Sequence, residues 1–202
     1  MAMTRVDLPS ADLCFDPVFL ADDLATAAFA ELDADIAWEQ HYVHLFGRTL
    51  PAPRQSCWIG DSGASYTYSR TRFEPRPWPD SLLRIKHQLE AASGASFNSV
   101  LANRYRDGAD CMGWHADDEC ELGPQPVIAS VSLGGSRRFL LRSRTELADR
   151  LELRLSHGSL LLMRGDTQTR YQHCVPRTTK PCAPRINLTF RRILLPLAAT
   201  GS

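Results

Sequence analysis

Apolar residues recur at helical spacing in two stretches of the chain and at strand spacing through most of the rest. Ala21 to Asp33 (ADDLATAAFAELD) is rich in alanine, carries acids in its first turn, and sets Leu24, Ala28 and Leu32 on one face, so it predicts a helix. A second helix is predicted from Pro79 or Asp80 to about Ala92, with Leu82, Leu83, Ile85 and Leu89 as its apolar stripe. Elsewhere short runs (SYTYS, SVLANRYR, VIASVSL, RFLLRS, LELRLS, SLLLM, RINLTFRRIL) are broken by Gly, Pro and Asp at the spacing of a sandwich or barrel. Two helices and about eight strands predict a mainly β fold with buttressing helices, a jelly roll. The chain before Ala21 reads as irregular and Ala198 to Ser202 as a frayed tail. Without a repeat, a low-complexity tract or a linker, residues 1–202 read as a single domain.

Composition narrows the classes. The 202 residues are 44% hydrophobic, enough for a real core. The 23 Lys and Arg balance 23 Asp and Glu, which excludes a polybasic nucleic-acid module and a disordered chain. The balance is uneven along the chain: residues 1–50 hold nine acids against Arg5 and Arg48 (−7), and residues 51–202 hold 14 acids against 21 bases (+7). That division is either a partner clue or a solvated acidic helix. All the bases but Lys86 and Lys180 are Arg, the residue suited to forked contacts with carboxylate or phosphate. Six cysteines without a CxxC pair speak against a disulfide framework or a structural zinc site. No signal-peptide pattern and no apolar run of membrane-spanning length is visible, so a cytoplasmic protein with reduced thiols is expected, close to the nucleoid if the cell is bacterial.

The chemistry-bearing residues fall in three clusters. In Trp114-His115-Ala116-Asp117 an extended chain would point His115 and Asp117 the same way, giving an imidazole and a carboxylate for a metal. His173, 58 residues downstream, is the candidate third ligand. Two His and one carboxylate leave half an octahedron open, the arrangement of non-haem Fe(II) oxygenases. Arg185-Ile186-Asn187-Leu188-Thr189-Phe190-Arg191 alternates strictly, so one face packs on a core while Arg185, Asn187, Thr189 and Arg191 line the other. That polar face is either wet or a lining able to grip both ends of a dicarboxylate.

With these clusters the sequence resembles the AlkB family of Fe(II)- and 2-oxoglutarate-dependent nucleic-acid dealkylases. Matching stretches run from Pro53-Arg54 and Gly60-Asp61 through SYTYS, FNSVLANRYRDG, His115 to Glu119, IASVSLG and HGSLL to Arg185–Arg191, over residues 53 to 193. The resemblance implies a double-stranded β-helix of the 2-oxoglutarate dioxygenase type. Residues 1–50 would be an N-terminal extension with a helix, 51–95 a nucleotide-recognition lid with the second helix, and 96–193 the catalytic core. His115, Asp117 and His173 would bind Fe(II). Asn103, Tyr105, Arg185, Asn187, Thr189 and Arg191 would hold 2-oxoglutarate, with Arg185, Asn187 and Tyr105 on its distal carboxylate and Arg191 at the end nearer the metal.

The implied reaction consumes O2, converts 2-oxoglutarate to succinate, and removes the methyl of 1-methyladenine or 3-methylcytosine in DNA, and in RNA as a second polymer, as formaldehyde. Tyr66, Tyr68 and Ser69 would stack on or touch a flipped base, and Glu119 would meet its exocyclic group. Phe46, beside Gly47, could wedge into a base stack or pack under its loop. Arg137 and Arg138 are phosphate contacts or solvated residues. Two other readings stand beside this one. A hydroxylase or demethylase of a protein, lipid or metabolite would keep the chemistry, but Glu119, Tyr66 and Tyr68 argue against it. A non-catalytic binder of methylated nucleic acid would lack a metal ligand, and none is missing. No obligate protein partner is evident and a monomer is expected.

Overall fold

The computed structural model of the protein describes residues 3–45, 48–64, 66–68 and 71–194. In chain order its elements are β1 (Thr4–Val6), β2 (Asp12–Asp16), α1 (Asp22–Asp35), β3 (Tyr42–Leu45), β4 (Arg48–Pro51), β5 (Gln55–Gly60), β6 (Tyr66–Tyr68), β7 (Thr71–Phe73) and α2 (Asp80–Ser93). They continue with β8 (Ser99–Tyr105), β9 (Met112–His115), β10 (Ile128–Gly134), β11 (Arg137–Ser143), β12 (Arg150–Leu155), β13 (Ser159–Arg164), α3 (Thr167–Arg170), β14 (Tyr171–Val175) and β15 (Arg185–Arg191). Seven strands form the larger sheet in the order β1-β2-β13-β10-β15-β8-β5, and four form the smaller, β12-β11-β14-β9. Two hairpins, β3-β4 and β6-β7, stand apart from both sheets. This is the expected mainly β jelly roll with few helices. No helix of the described residues is long and apolar enough to cross a membrane.

Strand alternation places two apolar layers on opposite sides of the larger sheet. On the helix side Ile186, Leu188, Phe190, Val131, Leu133, Val100 and Ala102 pack against Ala25, Leu32, Leu82 and Leu89. Between the sheets Tyr105, Ile128, Leu161 and Met163 meet Phe139, Leu141, Leu155 and Tyr171. Both helices lie close to their expected bounds, but α1 turns Ala25, Ala28 and Leu32 inward and leaves Leu24 exposed. Asp80 opens α2 and Gly94, at φ +69°, closes it in the left-handed conformation glycine favours.

The leading segment differs from its expectation in two respects. Its start is not irregular: β2 pairs with β13 along Asp12–Asp16, and β1 adds a further strand. Four of its nine acids are matched internally, Asp12 with Arg164 (3.1 Å), Asp33 with Arg104 (2.7 Å), Glu31 with Arg84 and Glu39 with Arg76, while Asp22, Asp23 and Asp35 of α1 are exposed. Part of the acidic run therefore faces the basic body of its own chain, and the rest is a solvated face of α1. Each such partly exposed pair is worth under about 1 kcal/mol, so the docking rests mainly on apolar burial. Leu32→Ala, at a fully buried position, should cost about 3 kcal/mol, read as a lower urea midpoint with an unchanged slope.

Candidate active site

The site lies between the sheets, where β14 and β9 face β8, β10 and β15. His115 and His173 are direct partners across β9 and β14, with ring centroids 4.2 Å apart. Asp117 follows β9 and is 2% exposed, with Oδ2 4.0 Å from His173 Nε2. The three offer ligand atoms all within 4.8 Å of one another. His115 Nδ1 lies 2.9 Å from the Gly113 carbonyl, so as a donor there it leaves Nε2 for a metal.

Electrostatics keep Asp117 and His173 in ligating form. Burial alone would push the Asp117 carboxyl up, but Arg191, then His173 and His115, outweigh it and hold it at about 2. Burial, reinforced by His115, pulls His173 down to about 3, so its imidazole is neutral. Asp117 Oδ1 accepts from Arg191 Nη2 at 2.5 Å, while the buried Oδ2 has no hydrogen-bond partner. A carboxylate oxygen without a donor, beside the neutral His173 imidazole and the His115 ring, is a donor set suited to a divalent cation.

The cofactor wall comes from the polar face of β15, which is buried rather than wet: all seven residues of the strand are buried. Register sets Arg185 opposite Tyr105 and Asn187 opposite Asn103 on β8, and Thr189 opposite Ser130 on β10. Asn103, Tyr105, Asn187, Thr189 and Arg191 line one cavity of about 30 Å³ with the three metal-site residues. Arg185 sits beneath Tyr105, its Cζ 5.1 Å from the ring centroid, and is 0% exposed. Its Nη2 donates to Ser132 Oγ (2.9 Å), while Nε and Nη1 have no hydrogen-bond partner. Burial lowers this guanidinium to about 10, with Tyr105 opposing the shift. Buried donors without an acceptor fit a carboxylate that arrives with a ligand.

Other expected site residues fall out differently. Asn187 does not present a free amide, since its Nδ2 donates to Ser130 Oγ (2.8 Å) and the Val131 carbonyl (3.1 Å). Arg137 is a correction: only 3% exposed, it donates to the carbonyls of Asp107, Asp110 and Pro176 and stacks on Tyr105, so it braces the site and does not reach out to phosphate. Arg138 is exposed, in a two-pronged pair with Glu152. Glu119 is half-buried two residues beyond Asp117. Tyr66 and Tyr68 lie on β6, whereas Phe46 and Ser69 lie outside the described residues.

The 2OG-Fe(II) oxygenase superfamily model matches residues 12–191. The chain is 41% identical over 192 residues to the DNA oxidative demethylase ALKBH2 of Homo sapiens, covering 90% of this chain and 74% of that protein. The chain belongs to the AlkB family of these oxygenases. It is also 40% identical over 190 residues to the alpha-ketoglutarate-dependent dioxygenase alkB homolog 3 of Bos taurus, covering 90% of this chain and 66% of that one. The solved structure of OsALKBH1 shares the fold, with a TM-score of 0.65 at 17% identity over 94% of this chain and 99% of that one. As an AlkB-family protein the chain is an Fe(II)/2-oxoglutarate dioxygenase, with His115, Asp117 and His173 as its iron triad.

Two supporting residues carry no motif-level signal of their role. Arg54 is buried and its Nε donates to Asn103 Oδ1 (2.8 Å). Because Arg can only donate, this turns the Asn103 amide nitrogen away from it. Gln168, 1% exposed on α3, accepts from the Asp117 backbone N–H (2.9 Å) and fixes the turn that aims the carboxylate. Pro53-Arg54 lies within the family resemblance, but only the fold shows what Arg54 touches. Gln168→Ala should weaken Fe(II) binding by roughly 10- to 100-fold, with Gln168→Glu restoring much of it. Anaerobic calorimetric titration measures this, and equal affinities would remove Gln168 from the site.

Proposed function

We propose that this protein oxidatively removes methyl and related alkyl groups from the ring nitrogens of bases such as 1-methyladenine and 3-methylcytosine, in DNA and also in RNA, as a direct-reversal repair enzyme. The observation that carries the reading is the metal triad set beside a buried arginine with two unpartnered donors, in a chain about 40% identical to the DNA oxidative demethylase ALKBH2 of Homo sapiens and of Mus musculus. When bound, Fe(II) and 2-oxoglutarate supply the oxidising chemistry, with O2 consumed, succinate formed and the methyl carbon lost as formaldehyde.

The protein's part is positioning and exclusion of water. His115, Asp117 and His173 hold the metal from one side. Arg185 and the Tyr105 hydroxyl take the distal carboxylate of 2-oxoglutarate, Asn103 offers the amide nitrogen that Arg54 has turned away from itself, and Asn187 and Thr189 shape the wall with Ser130. Arg191 neutralises Asp117 and serves the end of the cofactor nearer the metal. Leu101, Phe139 and Met163 close the cavity with apolar surface.

On the base side Tyr66, Tyr68 and Ser69 form the stacking lid of segment 51–95, over a catalytic core at 96–193. Glu119 meets the exocyclic group, and Phe46 wedges into the stack the base leaves. The enzyme acts as a monomer in the cytoplasm.

Purified protein with Fe(II), ascorbate and 2-oxoglutarate should release formaldehyde from single- and double-stranded oligonucleotides carrying methylated bases, and His115→Ala or Asp117→Ala should abolish it. Succinate formed with some other substrate, and no formaldehyde from any oligonucleotide, would refute the repair reading. Arg185→Met should leave the thermal stability of the metal-free protein equal or higher, since it removes a desolvated cation. It should weaken 2-oxoglutarate binding by roughly 100-fold, the loss of a buried charge-assisted contact. Unchanged binding by calorimetry would reassign the distal carboxylate.

A further inference from the structure

The helices cover the outside of the larger sheet, and the outside of the smaller sheet is lined with arginine. On β11 and β12 the inward residues Phe139, Leu141 and Leu155 belong to the core between the sheets. The outward ones are Arg138, Leu140 and Arg142, facing Arg154, Glu152 and Arg150 in register. Arg138 is thus directly opposite Arg154, and Arg142 directly opposite Arg150. All four are exposed, and Glu152 is the one acid among these six positions. It is engaged by Arg138, and among the described residues none of Arg142, Arg150 and Arg154 has a carboxylate in ion-pair range. Like charges directly opposite on adjacent strands destabilise a sheet, and here two such pairs flank the Leu140–Glu152 pair, which sets four guanidinium groups around a single carboxylate.

The same face carries an aromatic group. Trp114, on the edge strand β9, is 38% exposed, and the Arg142 guanidinium lies 4.1 Å from its ring. Trp114, Arg138, Arg142, Arg150 and Glu152 line one shallow groove. Exposed arginines beside an aromatic face on an open sheet combine the two features that hold single-stranded nucleic acid: cations for the phosphates and a flat ring for a base. Trp114 immediately precedes the metal-site His115, so a strand on this groove would be continuous with one that delivers a nucleotide to the cavity.

We propose that the outer face of the smaller sheet, centred on Arg138, Arg142, Arg150, Arg154 and Trp114, is a docking track for the single-stranded nucleic acid flanking the target base. It takes phosphates on the two cross-strand arginine pairs and one base on Trp114. The track rests on the nucleic-acid reading of the catalytic site and extends it from one nucleotide to its neighbours.

Arg150 and Arg154 lie outside the catalytic cavity, and the test is their double replacement, Arg150→Gln with Arg154→Gln, in the full-length metal-loaded protein. Binding of an unmethylated single-stranded oligothymidylate is followed by fluorescence anisotropy over a range of salt. Turnover is followed by formaldehyde release from a methylated trinucleotide and from a long methylated single strand. The wild type should bind with a salt slope that falls by about 1.4 in the double variant, about 0.7 for each phosphate that an arginine no longer neutralises. Its lower KM for the long strand should rise toward that of the trinucleotide, with turnover of the trinucleotide unchanged. Thermal melting should show the free variant at least as stable as the wild type, since two like-charge pairs are gone.

An unchanged salt slope and an unchanged length advantage, with trinucleotide demethylation intact, would overturn the track and leave the catalytic reading standing. Loss of oligothymidylate binding with no demethylation of any nucleic acid by the wild type would instead defeat the reading beneath it. Binding of heparin or an acidic peptide in preference to oligothymidylate would assign the face to a different polyanion and overturn the proposal.

Discussion

Two guanidinium groups are buried on one face of the central strand β15, and much of the surrounding structure answers to that. A buried charge costs several kcal/mol unless matched. Arg191 is matched by Asp117 at 2.5 Å, so the residue that would bind metal also holds the nearer arginine in place. Arg185 has Ser132 and the face of Tyr105 but no carboxylate in ion-pair range among the described residues. What holds β15 in place is its other face, where Ile186, Leu188 and Phe190 are wholly buried against the helices. At roughly 1.5–3 kcal/mol for each such side chain, that layer offsets a polar face that a packing optimum would have filled with hydrocarbon. The stability given up at Arg185 is recovered only when an anion arrives.

The same constraint explains why the site is stiff before anything binds. The triad is distributed over an edge strand, the turn after it and an inner strand, and each part is held by a group beyond the metal site. The Gly113 carbonyl orients His115, Gln168 holds the Asp117 backbone, and Phe139 stacks on His173 at 5.1 Å. On the cofactor side Arg137 ties the turn after β8 and the loop before β15 to Tyr105 through three carbonyls. Gly108 makes that approach feasible, because a Cβ there would sit 2.3 Å from the Thr178 carbonyl oxygen.

Much of this was legible in the chain because its signals are local. The alternation over Arg185–Arg191 reads directly as one apolar and one polar face, and His115 with Asp117 reads as two ligands two residues apart. Whether the polar face was wet could not be read, since that depends on the second sheet that covers it. β2 escaped because DLCFD has weak alternation and becomes a strand only by pairing with β13, about 150 residues away. Arg54 and Gln168 act on partners 49 and 51 residues distant and carry no pattern of their own. Arg137 and Arg138 are adjacent and chemically identical, yet the strand points one into the core and the other to solvent.

The net charge of zero conceals a segregation by sheet. Four acids of the leading segment are spent on Arg164, Arg84, Arg104 and Arg76, on or behind the larger sheet. The smaller sheet has no such cover among the described residues, where Glu152 is the one carboxylate in ion-pair range of its outward arginines, and the surplus is turned outward. It is also the sheet that contributes His115 and His173. The larger sheet therefore supplies the groups suited to a dicarboxylate cofactor, Tyr105, Asn103, Arg185 and Arg191, while the smaller supplies metal ligands on its inside and positive charge on its outside. A polyanionic strand attracted to the outer face has only the edge strand β9 to cross before it reaches the metal, and Trp114 and His115, adjacent on that strand, mark the crossing.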